Sequence, residues 1–218
     1  MAARIIKKNI RKSLFITLEG MEGSGKSSVI AFLKKYLKKK GLKVKEFREP
    51  GSTKVGEKIR DILLDNKNKK LSSYTELLLY LAARTQLIEE KLLFAFKSYD
   101  CIMCDRFFDL TLVYQGYALG MGEVVETSVA MFNLGVLPDL TIILDANVKH
   151  ALRRLKTRDR IESRKFEFHN RLKIGYKILA KKNPERIRML SSQKPLLQVY
   201  SDVEKVIEEF LCKKKIKK

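Results

Sequence analysis

The chain has no tryptophan, two histidines, three cysteines and four prolines in 218 residues. It also has no stretch approaching 18 consecutive apolar residues, which excludes a membrane-spanning helix, since crossing the hydrocarbon core takes about 20 such residues. A small, odd number of cysteines excludes a disulfide framework and leads us to expect a reducing, cytoplasmic setting. Arg4, Lys7, Lys8, Arg11 and Lys12 precede an apolar run in the manner of a secretory leader, but Glu19 ends that run too early. Cys101 and Cys104 have C-x-x-C spacing inside a strand-like run. Side chains three apart on a strand point to opposite faces, so the pair reads as core packing and not as a metal or redox site. Internal repeats and low-complexity linkers are missing too. One domain is therefore expected over residues 1–218, with a disordered basic tail from 213 to 218.

Positive charge is what the chain has in excess: 46 Lys and Arg against 25 Asp and Glu, a formal +21. Such a balance fits a nucleic-acid partner, an anionic small substrate or a lysine-rich solvated surface. The lysines gather at 34–40, 67–70 and 213–218, with little of the aromatic interleaving that stacks bases. These clusters read as solvated helix faces and ends, and no nucleic-acid partner is expected. The arginines Arg153, Arg154, Arg158, Arg160 and Arg164 form a separate group.

The most informative run is Gly20-Met21-Glu22-Gly23-Ser24-Gly25-Lys26-Ser27, directly after the apolar stretch Leu14–Leu18. It reads as a phosphate-binding loop for a nucleoside triphosphate, so Gly20, Glu22, Gly23, Ser24, Gly25, Lys26, Ser27 and Ser28 are the expected ATP contacts. Glycines let consecutive N–H groups turn around an anion, and the helix that follows adds the positive end of its dipole. Lys26 can reach the β- and γ-phosphates, and the Ser27 hydroxyl can ligate Mg²⁺. Asp105 ends a later apolar strand, at the sheet edge where ligands collect in α/β folds, and can hold Mg²⁺ through water. Arg106 beside it offers a planar cation suited to a phosphate.

Apolar runs of strand length alternate with segments of helical period, which predicts an α/β fold: a five-stranded parallel sheet with helices on both faces. Strands are expected near 13–19, 43–48, 99–105, 139–145 and 186–191. Helices are expected over 25–40, 54–65, 73–97, 109–119, 122–135, 147–157, 164–181 and 196–212.

Seven segments, in order and in approximate register, resemble thymidylate kinases: Phe15–Gly20, Arg48–Thr53, Tyr80–Arg84, Asp105–Phe107, Tyr114–Gly116, Leu137–Thr141 and Asp159–Glu162. The resemblance runs from residue 13 to about 211. It implies phosphoryl transfer from ATP to dTMP, a mobile lid over about 153–164 and a homodimer. It implies a dTMP site made of Glu22, Arg48, Pro50, Tyr80, Arg84, Arg106, Thr111, Tyr114 and Gln115. Tyr80 and Arg84 are one helical turn apart, so the ring can stack on a base while the guanidinium donates to a pyrimidine carbonyl. By resemblance Arg48 and Arg106 hold the acceptor phosphate, Glu22 faces the sugar 3′-hydroxyl and Tyr114 crowds the 2′-position. Position 23 is glycine where one branch of the family carries a basic residue, so the chain resembles the bacterial branch, in which the lid supplies the catalytic arginine. Arg158 and Arg160 are the expected lid groups, with Lys26, Arg106 and Asp105 completing the catalytic set. Two departures stand out: a few lid residues between Arg158 and Asp159 are missing, and Ser191 stands where an aspartate is common. The alternatives are a kinase of another monophosphate, such as dUMP or dCMP, and a basic P-loop ATPase stimulated by nucleic acid.

Overall fold

The computed structural model describes residues 13–214. The basic N-terminal residues and residues 215–218 of the expected tail lie outside them, while Lys213 ends the last helix and Lys214 caps it. Five strands form one parallel sheet: β1 (Leu14–Glu19), β2 (Val44–Arg48), β3 (Cys101–Asp105), β4 (Leu140–Asp145) and β5 (Ile187–Ser191). Their order is β2-β3-β1-β4-β5. Central β1 is buried at every position, as a parallel strand covered on both faces must be.

Alternation along β1 builds the two core layers. Leu14, Ile16 and Leu18 pack with α1 (Lys26–Lys39) and α9 (Leu196–Lys213), whereas Phe15 faces α3 (Ser73–Leu87), α4 (Leu93–Ser98) and α6 (Gly122–Phe132). Cys101 joins the first layer and Cys104 the second, the opposite-face placement that strand geometry requires. Burial pushes the Cys101 thiol up to about 12, which keeps it protonated and inert. The chain places β2 and β3 on one side of β1 and β4 and β5 on the other, so a crevice opens at the carboxyl end of β1. A third cluster, with Ile59 and Leu63 of α2 (Lys54–Leu64), Tyr80 of α3, Tyr114, and Phe168 and Leu172 of α8 (Phe166–Lys182), walls that crevice.

Two expected helices contain a change of winding. The 73–97 segment is α3, a π-helical stretch Ile88–Leu92, then α4; the 109–119 segment is α5 (Phe108–Thr111) followed by π-helical Leu112–Ala118. A π-turn inserts one residue and shifts the helical phase only locally, and over so few residues apolar spacing does not distinguish it from α-helix. The 122–135 helix stops at Phe132, because Leu134 (φ 49°) and Gly135 (φ 75°) take the left-handed conformation that ends helices. The 147–157 helix is shorter, α7 (Val148–Arg153).

A buried polar string fastens α5 to the sheet. The Thr17 and Thr141 hydroxyls lie 2.8 Å apart, Thr141 donates to Asp109 Oδ2 at 2.9 Å, and Arg186 forks onto both Asp109 oxygens at 2.6 and 2.9 Å. Asp109 is fully buried. Its removal leaves the Arg186 guanidinium without its counter-charge, a loss of about 3 kcal/mol or more for a buried pair. Asp109→Ala should therefore lower the urea midpoint by a comparable stability difference; a change under about 1 kcal/mol would mean the string is incidental.

Candidate active site

The phosphate loop leaves β1 through Gly20, whose φ of 128° is matched by a close approach: a Cβ there would lie 2.6 Å from the Leu144 carbonyl oxygen. Gly23 (φ 71°) is tighter still, with Ala151 O of α7 only 2.1 Å from where a Cβ would sit. No side chain fits at position 23, so a loop-borne arginine is sterically excluded and the lid-side helix packs directly on the loop. Gly25 starts α1 in the left-handed region with no side-chain cap, and the first turn carries no acidic residue. That leaves the helix N-terminus available to an anion. Lys26 lies along the loop, its Nζ donating to Gly20 O at 2.9 Å and Met21 O at 3.0 Å. Burial first, and then the charge of Arg106, push its ammonium down to about 8.

Arg106 stands at the centre. Its backbone has φ 70°, and its N–H donates to Leu18 O at 2.9 Å, which pins the residue after β3 beside the end of β1. Its Nη2 reaches Glu22 Oε1 at 2.5 Å and its Nη1 lies 3.9 Å from Glu19 Oε2. Tyr114 donates to both Glu22 oxygens at 2.9 Å. Burial opposes ionisation of Glu22, but Arg106 and Lys26 outweigh it and hold the carboxyl below its ordinary range. Glu19, deeper, accepts from Phe107 N at 2.8 Å and from the Tyr176 hydroxyl at 2.9 Å, and burial pushes it up to about 8.

These groups border a cleft of about 660 Å³. Glu22 to Ser28, Pro50, Tyr80, Asp105, Arg106 and Tyr114, all expected site residues, line it. Gly20 contributes its carbonyl to Lys26 from outside the lining. Arg84, Thr111 and Gln115 are fully buried and do not line the cleft. Arg84 Nη2 donates to Thr111 Oγ1 at 2.6 Å and pairs with Glu49 at 2.5 Å; Gln115 Nε2 donates to Glu76 Oε1 at 2.8 Å. Asp105 Oδ1, Ser24 Oγ, Arg106 Nη1, Arg84 Nε and Nη1, and Gln115 Oε1 are buried without a hydrogen-bond partner.

Three of the expected arginines do not line the cleft, and each is bound to another acceptor. Arg48 is half exposed and paired with Glu57 at 2.7 Å. Arg160 is buried, bound to Glu76 at 2.6 Å and to Leu63 O at 2.7 Å. Arg158 donates to Leu152 O at 3.3 Å. Instead Arg154 lines the cleft and donates to Gly23 O at 3.2 Å. Arg60, unmarked by any motif, also lines it and donates to Pro50 O at 3.1 Å. Burial, then the charges of Arg48 and Arg106, lower the Arg60 pKa, and the two guanidinium residues Arg60 and Arg106 line the same cleft. Only the helical phase of Arg60 on α2 could have signalled it.

A sequence model of the thymidylate kinase family matches residues 18–203. The chain belongs to that family. It is 43% identical over 203 residues to a thymidylate kinase of Thermoanaerobacter sp. (strain X514), covering 92% of this chain and 100% of that one. It is 36% identical over 209 residues to one from Bacillus pumilus, covering 93% and 99%. The crystal structure of thymidylate kinase from Ehrlichia chaffeensis superposes with a TM-score of 0.74 at 30% identity, covering 89% of this chain and 98% of that one. The reaction of the family is ATP-dependent phosphorylation of dTMP to dTDP, and it is the activity of this chain.

For a thymidylate kinase the lowered pKa of Lys26 has a measurable consequence. Above about pH 8 the ligand-free lysine is increasingly neutral. Triphosphate charge raises it again, so binding there takes up a proton and ATP affinity falls as pH rises. Calorimetry at about pH 9, in buffers of different ionisation enthalpy, should show uptake of a substantial fraction of one proton that Lys26→Met abolishes. Equal values for the two proteins would mean that another group carries the linkage.

Proposed function

We propose that the cleft binds ATP along the phosphate loop and dTMP between Tyr80, Tyr114 and the arginines Arg60 and Arg106, with Mg²⁺ held by the Ser27 hydroxyl and, through water, by Asp105. The observation that carries this is the set of polar atoms the chain itself leaves unpartnered, Ser24 Oγ, Asp105 Oδ1 and Arg106 Nη1 on residues that line the cleft and Arg84 Nε and Nη1 and Gln115 Oε1 buried on the helices that carry Tyr80 and Tyr114. Leaving a buried group unsatisfied costs about 1–3 kcal/mol, so such a set is retained where a ligand completes it. Their types match the substrates. Asp105 Oδ1 is an acceptor suited to metal-bound water, and Arg106 Nη1 is a phosphate donor. Arg84 Nε and Nη1 are donors for a pyrimidine carbonyl, and Gln115 Oε1 is an acceptor for a ring N–H. When bound, the metal ion neutralises charge on the transferred phosphoryl group.

Each residue then has a task. Lys26 exchanges the Gly20 and Met21 carbonyls for phosphate oxygens. Glu22, kept ionised, accepts from the sugar 3′-hydroxyl and orients Arg106; Tyr114, fixed on Glu22, crowds the 2′-position. Arg60 and Arg106 hold the acceptor phosphate, one oxygen of which attacks the γ-phosphorus as the bond to the ADP oxygen breaks. Arg154, on the loop at Gly23, meets the charge of the moving phosphoryl group, while Arg158 and Arg160 shape the lid.

The large exposed side chains Tyr74 and Leu78 on α3 and Met131 on α6 lie on helices that pack side by side, and they support a homodimer through that face. Free cysteines at 101, 104 and 212 support a reducing, cytoplasmic setting.

A coupled assay of ADP release over a panel of monophosphates tests the substrate, and activity should be highest on dTMP. Lys26→Ala should lower turnover by about a hundredfold or more with the fold intact. Arg154→Ala should lower kcat by at least about tenfold with little change in KM for dTMP, because its contact forms mainly in the transition state. Parental kcat in Arg154→Ala together with a collapse in Arg158→Ala would return the role to Arg158.

A further inference from the structure

Glu76 lies in the first turn of α3, fully buried, where the helix N-terminus favours negative charge. Its carboxylate is shared by three donors from two regions. Arg160 Nη2 and Arg164 Nη2 each reach Oε2 at 2.6 Å, and Gln115 Nε2 reaches Oε1 at 2.8 Å. Arg160 also holds the end of α2, donating its Nε to Leu63 O at 2.7 Å and its backbone N–H to Leu64 O at 3.1 Å. Arg164 lies over the Phe168 ring at 4.5 Å. The segment so anchored presents Asp159, Ile161 and Glu162 to the cleft. Glu76 is also one turn before Tyr80 and two before Arg84 on the same helix.

An ionised carboxylate only accepts hydrogen bonds, so the end of the Gln115 amide that faces Glu76 must be its NH₂. The other end, Oε1, is thereby turned away from Glu76, and it is buried without a partner. We infer that Glu76 is a positioning residue that sets acceptor polarity at Gln115, and so selects a base with a ring N3–H, while clamping the lid arginines in the same contact. The inference rests on the proposed dTMP site with Gln115 against the base. Thymine presents a donor at N3 and cytosine an acceptor, so a Gln115 amide free to turn over would accommodate either.

The test is kcat/KM for dTMP and for dCMP in the parent and in Glu76→Gln. Arg160 and Arg164 both donate to one oxygen of residue 76, so a glutamine there keeps its oxygen on the arginines and turns its NH₂ toward Gln115, which must then face it with its own oxygen and present NH₂ on the other side. The ratio of dTMP to dCMP activity should fall by about tenfold or more, through KM for the monophosphate, with KM for ATP changed less than about twofold. An unchanged ratio, or equal loss on both substrates, overturns the inference and leaves Glu76 a structural clamp. If Glu76→Gln does not fold by circular dichroism, the exchange Glu76→Gln with Gln115→Glu restores one carboxylate to the pair. A folded double variant should keep the parental preference for dTMP, and its loss would equally overturn the inference. Gln115→Ala in the same assay tests the underlying site separately: it should lower the dTMP to dCMP ratio, and an unchanged ratio there would remove Gln115 from the base and overturn the site reading itself.

Discussion

Everything at the cleft depends on how the charge of Arg106 is held. The guanidinium is nearly buried, with 11% of its side chain exposed, between Glu22 and Glu19, and its own backbone is forced to φ 70°. Its counter-charge is chiefly Glu22, 2.5 Å away and held ionised, since burial keeps Glu19 largely protonated at neutral pH, and removing one partner of a buried pair costs several kcal/mol. Glu19 cannot move to suit it, because Phe107 N and the Tyr176 hydroxyl occupy its oxygens, tying β1 to the turn after β3 and to α8. The elements that meet at the crevice are therefore fixed to one another through the same charges that would meet a phosphate. Preorganisation here is a consequence of the fold and not an addition to it.

The ligand-free cleft is electrostatically incomplete in a directed way. Lys26 and Arg60 both have lowered pKa values, with burial the largest cause and Arg106 among the others, so the cations in the cleft oppose one another. Anionic nucleotides relieve that opposition, which makes their binding partly the release of repulsion already present. The lysines of α1 belong to a different account: Lys34 pairs with Glu46 and Lys40 with Glu208 at solvent-exposed sites, where such pairs contribute little to stability.

How much of this was legible in the sequence divides by physical range. The five strands and the phosphate loop follow from local period and from glycines in fixed order, because those constraints act within a few residues. The same local rule placed Cys101 and Cys104 on opposite faces. The π-helical stretches at Ile88–Leu92 and Leu112–Ala118 left no trace, since they keep the apolar residues buried. Arginine roles were the least legible. Arg48, Arg154, Arg158 and Arg160 are chemically alike, and which one meets the cleft depends on acceptors such as Glu57, Gly23 O and Glu76 that only the folded chain brings near. Arg60 shares this limit, being an ordinary helix residue until α2 lies beside Pro50.

The short lid gains a physical meaning from the same contacts. Between α7 and α8 the segment around Asp159 is tied down: Asn66 donates to Arg158 O at 2.9 Å, Arg160 Nε to Leu63 O at 2.7 Å and Arg164 Nη2 to Glu76 Oε2 at 2.6 Å. The geometry of Gly23 adds the other boundary, because Ala151 of α7 sits where any larger residue would need space. Arg154, just past the end of α7 and donating to Gly23 O at 3.2 Å, is the arginine of this region that lines the cleft. A lid braced at both ends exchanges range of motion for placement. A segment already held by so many contacts has little conformational freedom left to lose, so ordering it further would cost little entropy.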